Sequence, residues 1–238
     1  MSETIAAVMP TYRHANLIEA ALDSIAHQVD LLVVVDDASP DDTCDVLTKW
    51  FDRNEACDVC VFTHNEQNLG TAMSINKGIE IIEKLMPGAD WWTWVSSDNV
   101  HMPEWANSLL AAARQGDGVV YSGFNIVKPH KKVSSLGYFI EHEPDKLVST
   151  PNCYYGPSFI IRPAVWQYAG PHRGQGAHDF DHWTRVEEAC WDLHMDIRGI
   201  KKPLVKYLRH AETTIKRDPA AMDQKKWRDE AIKRRAKT

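Results

Sequence analysis

Short apolar runs alternate along the chain with longer amphipathic stretches, and that alternation dictates an architecture. Residues 5–9 (Ile-Ala-Ala-Val-Met), 31–35 (Leu-Leu-Val-Val-Val), 59–63 and 91–95 (Trp-Trp-Thr-Trp-Val) hold no Gly or Pro. They read as buried strands. Between them apolar side chains recur at helical spacing: Leu17, Ala20, Ala21 and Ile25, then Val46, Leu47 and Trp50, then Ala72, Ile75, Ile79 and Ile82 within residues 70–86. Asn16 is placed to cap the first helix. Ser39, with Pro40 after it and Asp42 three residues on, is placed to start the second. Strands alternating with helices of this length make βαβ units and a mostly parallel sheet. Right-handed crossovers then bring the polar strand exits at 11–13, 36–39, 65–70 and 96–99 to one edge.

The second half is less regular. A helix is expected at 103–115, a strand at 119–127, and a polar hairpin or loop at 129–148. A strand at 152–161 leads to a helix opened by Pro163, and a Gly-rich loop at 170–176 leads to a helix at 179–193. A last strand at 203–208 and a basic helix at 219–237 close the chain. The reading is one α/β domain, 1–215, with a ligand-binding half (1–100) and a smaller half (101–215), followed by a basic tail at 216–238.

Composition narrows the class. The 238 residues are 44% hydrophobic and 25% charged, ordinary for a soluble domain. No stretch of about 20 apolar residues marks a membrane span, and no signal peptide is seen. The five Cys lack framework spacing, and Cys57 and Cys60 have no second pair to complete a zinc site. Reduced thiols in a cytoplasmic protein are expected. Net charge is −6, yet residues 216–238 hold nine Lys/Arg against four Asp/Glu, +5, which leaves −11 for the rest. A solvated helix explains such a tail, and a contact with nucleic acid or anionic lipid is the minority reading.

The chemistry lies at the strand exits. Asp98 follows a buried strand and precedes a helix, where a carboxylate either shapes a turn or holds a metal, phosphate or sugar hydroxyl. Asp36 and Asp37 occupy the same kind of position, as turn residues or as partners of a base or ribose. Asp179 at a helix start is a capping residue or a base, and the two roles are compatible. The Trp cluster is mostly core, with Trp105 and Trp183 candidates for stacking on a sugar if exposed.

The order of the motifs carries a resemblance. Pro10-Thr11-Tyr12-Arg13, Asp36-Asp37-Ala38-Ser39, Asn68-x-Gly70-x₅-Asn76-x-Gly78 and Ser96-Ser97-Asp98 follow one another. After them come Gly156 to Arg162, then Gln175-Gly176-Ala177-His178-Asp179-Phe180-Asp181-x₃-Arg185, then Tyr207-Leu208-Arg209-His210. This set, spanning about 4–214, resembles the inverting family 2 glycosyltransferases of the GT-A fold. Where that family has an acid two residues before Asp98, this chain has Ser96, and His178 stands where Glu usually precedes the catalytic Asp.

The resemblance implies a GT-A type, Rossmann-like domain moving a sugar from a nucleoside diphosphate sugar, a UDP-sugar by preference, to an acceptor hydroxyl. It implies donor contacts from Pro10, Thr11, Tyr12, Arg13, Asp36, Asp37, Asn68, Gly70, Asn76, Ser96, Ser97 and Asp98. It implies Mn²⁺ or Mg²⁺ on Asp98 and His210, with Asp179 as general base and Asp181 as fallback. His178, Trp183 and Arg185 would face the acceptor, whether glycan, lipid carrier, protein or modified DNA. A nucleotide-sugar-binding protein that has lost catalysis is the alternative. A nucleotidyltransferase is disfavoured, since residues 10–13 supply no Gly-rich phosphate loop.

Overall fold

The computed structural model describes residues 3–54, 60–128, 135–143, 155–174, 178–209 and 225–236. Its strands are β1 (Ile5–Thr11), β2 (Leu31–Asp36), β3 (Cys60–His64), β4 (Trp91–Trp94), β5 (Val100–His101), β6 (Asp117–Val127), β7 (Ser135–Tyr138), β8 (Phe159–Ile161) and β9 (Asp196–Leu208). The helices are α1 (Ile18–Ile25), α2 (Thr43–Arg53), α3 (Thr71–Leu85), α4 (Trp105–Ala112), α5 (Pro163–Ala169), α6 (His178–Asp192) and α7 (Lys225–Arg235).

One nine-stranded sheet runs through both halves in the order β3-β2-β1-β4-β8-β6-β9-β5, with β7 beside β6. The first half is parallel: β1 pairs β2 and β4, and β2 pairs β3. β8 then pairs antiparallel with β4 and β6, while β6 and β9 pair parallel over most of their length. Helices cover both faces. Successive strand residues point to opposite faces, so Ala6, Val8, Val33 and Val35 pack with Ile75, Ile79 and Ile82 of α3 and with α5 and α6. Ile5, Ala7, Met9, Leu32 and Val34 pack with α1, α2 and α4. Each of the Val, Leu, Ile and Met side chains among them contributes roughly 1.5–3 kcal/mol on burial. The fit is tight at Gly78 of α3, where a Cβ would come within 2.3 Å of Val8.

The topology also sets the ligand crevice. From β1 the chain winds outward to β2 and β3, then returns to β4 on the other side of β1. Such a reversal opens a crevice at the carboxyl ends of the two strands flanking it. The expected mostly parallel α/β sheet is therefore present.

Local differences have local causes. α2 starts at Thr43, not at Ser39, because the Ser39 hydroxyl is drawn to Asp36 instead of capping the helix. α1 starts without a side-chain cap, so Asn16 does not cap it. β5 is two residues long and carries too little pattern to read from sequence. β9 starts at Asp196 because its polar first half pairs with β6. Cys60 is disulfide-bonded, with its partner outside the described residues, whereas Cys44 and Cys190 are free. That corrects the expectation of reduced thiols at Cys60. Among the described residues no helix is long and apolar enough to cross a membrane.

Candidate active site

Three strand exits are stitched together at the crevice. After β1, Arg13 takes a left-handed backbone conformation (φ 60°) and its N–H donates to Ser39 Oγ at 3.0 Å. The His14 N–H donates to Thr43 Oγ1 at 2.9 Å, and His14 Nδ1 lies 2.7 Å from Ser97 Oγ. The exits of β1, β2 and β4 are thereby held in one frame. Ala38 is also left-handed (φ 57°), so two non-glycine residues carry strain at this edge, and strain of this kind gathers at functional sites.

The expected donor residues divide by environment. Asp36 closes its own turn, accepting from Ser39 Oγ at 2.5 Å and Ser39 N at 3.1 Å. Buried Asp37 accepts from Asn65 Nδ2 at 2.7 Å, Leu69 N at 2.9 Å and Gly70 N at 2.8 Å. It therefore fixes the 65–70 loop and the entry to α3. Gly70, with φ 86°, sits where an L side chain would be strained. Asn68 is exposed on that loop, and Tyr12, just after β1, is half-buried. Thr11 is buried, and its Oγ1 has no hydrogen-bond partner among the described residues. Asn76 reaches the loop before α6. Its Nδ2 donates to His172 O at 3.0 Å and its Oδ1 accepts from His172 N at 2.9 Å, so it clamps the loop before α6.

After β4 the side chains alternate. Ser97 and Asn99 are buried, whereas Ser96 and Asp98 are half-buried. β5 then pairs with the end of β9, Val100 opposite Lys206, and Leu208 N donates to Asn99 Oδ1 at 3.3 Å. This brings Tyr207 to the Asp98 exit. Burial raises the Tyr207 phenol above its ordinary value, and the Asp98 and Asp179 carboxylates raise it further while Arg209 opposes them. Tyr207 thus senses both carboxylates singled out from sequence, one after β4 and one on α6.

Asp179 is half-buried at the start of α6, and its Oδ1 accepts from the Phe180 N–H at 2.8 Å. A carboxylate suits the positive end of a helix. Beside it His172 Nδ1 lies 3.0 Å from His178 Nδ1, and the His172 ring stacks on His182 at 3.9 Å. Burial, with neighbouring positive groups in support, holds the His172 and His182 imidazoles well below the usual His range. Burial also lowers His178, with Asp179 and Asp181 opposing.

Three of the positions expected at the site in this half are committed to partners within the protein. Asp181 is fully buried and gripped by two guanidiniums: Arg173 Nε at 3.0 Å and Nη2 at 2.5 Å, and Arg185 Nη2 at 2.9 Å. An inner carboxylate so paired anchors the first turn of α6. Arg185 is itself buried and donates to the Ala169, Gly170 and Pro171 carbonyls, so it holds the loop and not an acceptor. Trp183 is fully buried against Tyr155 (4.0 Å between rings), and Trp105 is buried with its Nε1 on Ser158, so neither offers a stacking face. Arg162, within the Gly156-to-Arg162 motif, pairs with Glu3 near the start of β1, at the far edge of the sheet from the crevice. His210, Gln175, Gly176 and Ala177 lie outside the described residues. Sequence reasoning missed His14, His172 and Arg173, whose partners are remote in sequence and leave no periodic signal.

A doubly covered sheet with its crevice between β1 and β4 and an acidic exit after β4 is the architecture of GT-A glycosyltransferases. The family model described as Glycosyl transferase family 2 matches residues 6–169, and the chain belongs to that family. No curated protein sequence matches. Among solved structures, S. aureus TarS 1-349 in complex with UDP superposes with a TM-score of 0.65 at 18% identity, over 88% of this chain and 61% of that one. Mannosyltransferase PcManGT from Pyrobaculum calidifontis, in complex with GDP-Man and Mn²⁺, gives 0.62 at 18% identity, over 90% and 59%. Glucosyl-3-phosphoglycerate synthase from Mycobacterium tuberculosis, in complex with Mn²⁺, UDP and glucosyl-3-phosphoglycerate, gives 0.61 at 15% identity, over 93% and 77%. At these identities the likeness is one of fold. The chain spans about three fifths of the first two proteins, 61% and 59%.

Proposed function

We propose that the protein transfers a sugar from a nucleoside diphosphate sugar to an acceptor hydroxyl with inversion, and that Asp179 is the general base. The observation that carries the reading is the half-buried Asp98 at the exit of β4, beside the crevice of a family 2 fold, together with the half-buried Asp179 at the start of α6. One carboxylate stands on the strand-exit side, where a donor diphosphate would lie, and the other at the N-terminal end of α6. A UDP-sugar is the preferred donor, since TarS and the phosphoglycerate synthase were both solved with UDP. Membership of family 2 supports the transfer chemistry.

In this reading the Asp179 carboxylate takes the proton from the acceptor hydroxyl as its oxygen bonds to the anomeric carbon. The bond from that carbon to the diphosphate oxygen breaks on the opposite face, and the electron pair leaves with the nucleoside diphosphate. Single displacement of this kind inverts the configuration. The Phe180 N–H fixes one oxygen of Asp179 at the start of α6 and leaves the carboxylate a free lone pair for the acceptor proton. The His14–Ser97 and Arg13–Ser39 bonds hold the donor edge in shape.

The donor set suits a divalent cation. Asp98 is a hard oxygen ligand at the crevice, and among the described residues no group of three His, Cys, Asp or Glu forms a complete protein cage. Mg²⁺ and Mn²⁺ are commonly held by one or two side chains with substrate phosphates completing the shell. Asp98 would hold the ion, with His210 as second ligand, and the ion would neutralise charge on the leaving diphosphate.

The test is a donor screen by thermal shift with UDP-, GDP-, TDP- and CMP-sugars and Mn²⁺. A ligand at 100 times its Kd stabilises by about 2.7 kcal/mol. The expected result is a raised midpoint with one nucleoside diphosphate class, lost in Asp98→Asn. No shift with any donor overturns the proposal. Nucleic acid as acceptor gains no support from the basic helix: Arg234 and Arg235 of α7 turn inward to Glu188 and Glu187.

A further inference from the structure

We infer that the C-terminal helix α7 positions the base, with Trp227 acting on the loop that leads into α6. The inference rests on the reading of Asp179 as the base. α7 docks along α6 through Arg234, which bonds Glu188 Oε2 at 2.8 Å and Thr184 Oγ1 at 3.1 Å, and through Arg235, which bonds Glu187 Oε2 at 3.0 Å. Buried Glu187 also accepts the Tyr155 hydroxyl at 2.7 Å, so this anchor reaches the core. About two helical turns back, roughly 12 Å along the axis, Trp227 lies against the loop. A Cβ at Gly174 would stand 3.0 Å from its ring, and Gly174 adopts a left-handed backbone (φ 70°).

The same ring faces Arg173, whose guanidinium is 5.6 Å from the ring centroid. Arg173 in turn grips both oxygens of Asp181 in the first turn of α6, two residues after Asp179. The residue before it, His172, is fixed to α3 by Asn76 and to His178 at the start of α6. Residues 172–174 are thus held by α3, by α6 and by α7. Trp227 closes the third side, and with Gly170 and Gly174 both at positive φ the loop has little stiffness of its own. A base displaced by about 1 Å loses up to about 100-fold in rate. Trp227 is therefore a positioning residue that acts through residues 173–174.

The experiment follows nucleoside diphosphate release with water as acceptor, using the full chain, Mn²⁺ and UDP-glucose, UDP-N-acetylglucosamine and GDP-mannose in parallel. It compares wild type, Trp227→Ala, Trp227→Phe and Asp179→Asn. Expected is a kcat about 10- to 100-fold lower in Trp227→Ala, donor KM within about twofold of wild type, and recovery of most of the rate in Trp227→Phe. Asp179→Asn should fall by about 100- to 10,000-fold. Wild-type kcat in Trp227→Ala beside an Asp179→Asn slowed to that extent overturns the positioning role and leaves the base standing. An Asp179→Asn with wild-type kcat overturns the base and this inference with it. A raised KM together with a lost donor-induced thermal shift in Trp227→Ala marks general loosening and also overturns it. If Trp227→Ala does not fold, Trp227→Leu takes its place against Trp227→Phe under the same criteria.

Discussion

Replacing Asp181 by Asn separates architecture from chemistry on α6. The carboxylate is fully buried and receives four N–H donors from two arginines. Removing one partner of a buried ion pair costs about 3–5 kcal/mol, because the remaining charge is stranded. The two arginines differ in what they can do next. The Arg173 side chain is 41% exposed and can turn to water, whereas that of Arg185 is 10% exposed and cannot. One guanidinium is stranded rather than two, and the Asn carbonyl still accepts a bond, so the expected loss is about 3 kcal/mol. For a domain of this size that lowers Tm by about 6–12 °C. Urea denaturation followed by circular dichroism measures the loss, and turnover is read well below the lowered midpoint. The folded variant should still turn over donor, slowed by no more than Trp227→Ala, since the Arg173–Asp181 contact also steadies the start of α6. A loss under about 1 kcal/mol, or full stability with abolished turnover, would refute the reasoning.

Other perturbations act elsewhere in the same structure. His101 is fully buried, neither ring nitrogen has a hydrogen-bond partner among the described residues, and burial pushes its imidazole down to about 3. Above the ordinary value of about 6.5 it is neutral folded or unfolded; below it only the unfolded chain takes the proton, so stability falls with pH until about 3. At pH 5 this residue alone costs about 2 kcal/mol, and His101→Phe should flatten the decline in stability between pH 7 and 5 by that amount. His172 and His182 shift in the same direction, so some pH dependence remains in that variant. Gly78→Ala drives a methyl into Val8 and should lose about 1–3 kcal/mol by denaturant titration. Ser96→Asp adds a second carboxylate on the half-buried side shared with Asp98, and calorimetry should show tighter Mn²⁺ binding in the presence of the nucleoside diphosphate.

The parallel half was legible because its cues are local. An apolar run such as Leu-Leu-Val-Val-Val can be little but a buried strand, and β2 is buried along its whole length. The strand exits were legible for the same reason, and their order sufficed to name the family. What sequence hid was the use of each polar group. Asp37 and Asn76 also hold the Asn65–Gly70 loop and His172, partners 28 or more residues away, which no local pattern announces. Trp183 and Arg185 sit on an α6 that is buried on nearly every side, and the polar run His-Asp-Phe-Asp-His-Trp-Thr-Arg gives no sign of this. A helix with ion pairs turned inward defeats the usual rule that charged faces meet water. Tyr207 reached the site through the pairing of β5 with β9, a contact too short for any period to announce.

The central claim, inverting transfer with Asp179 as base, is tested most directly by single-turnover release of the nucleoside diphosphate in wild type and Asp179→Asn, with donor binding measured in both. The account predicts equal donor affinity and a rate lowered by about 100- to 10,000-fold in the variant, the contribution of a positioned general base. Equal affinity with an unchanged rate would contradict it.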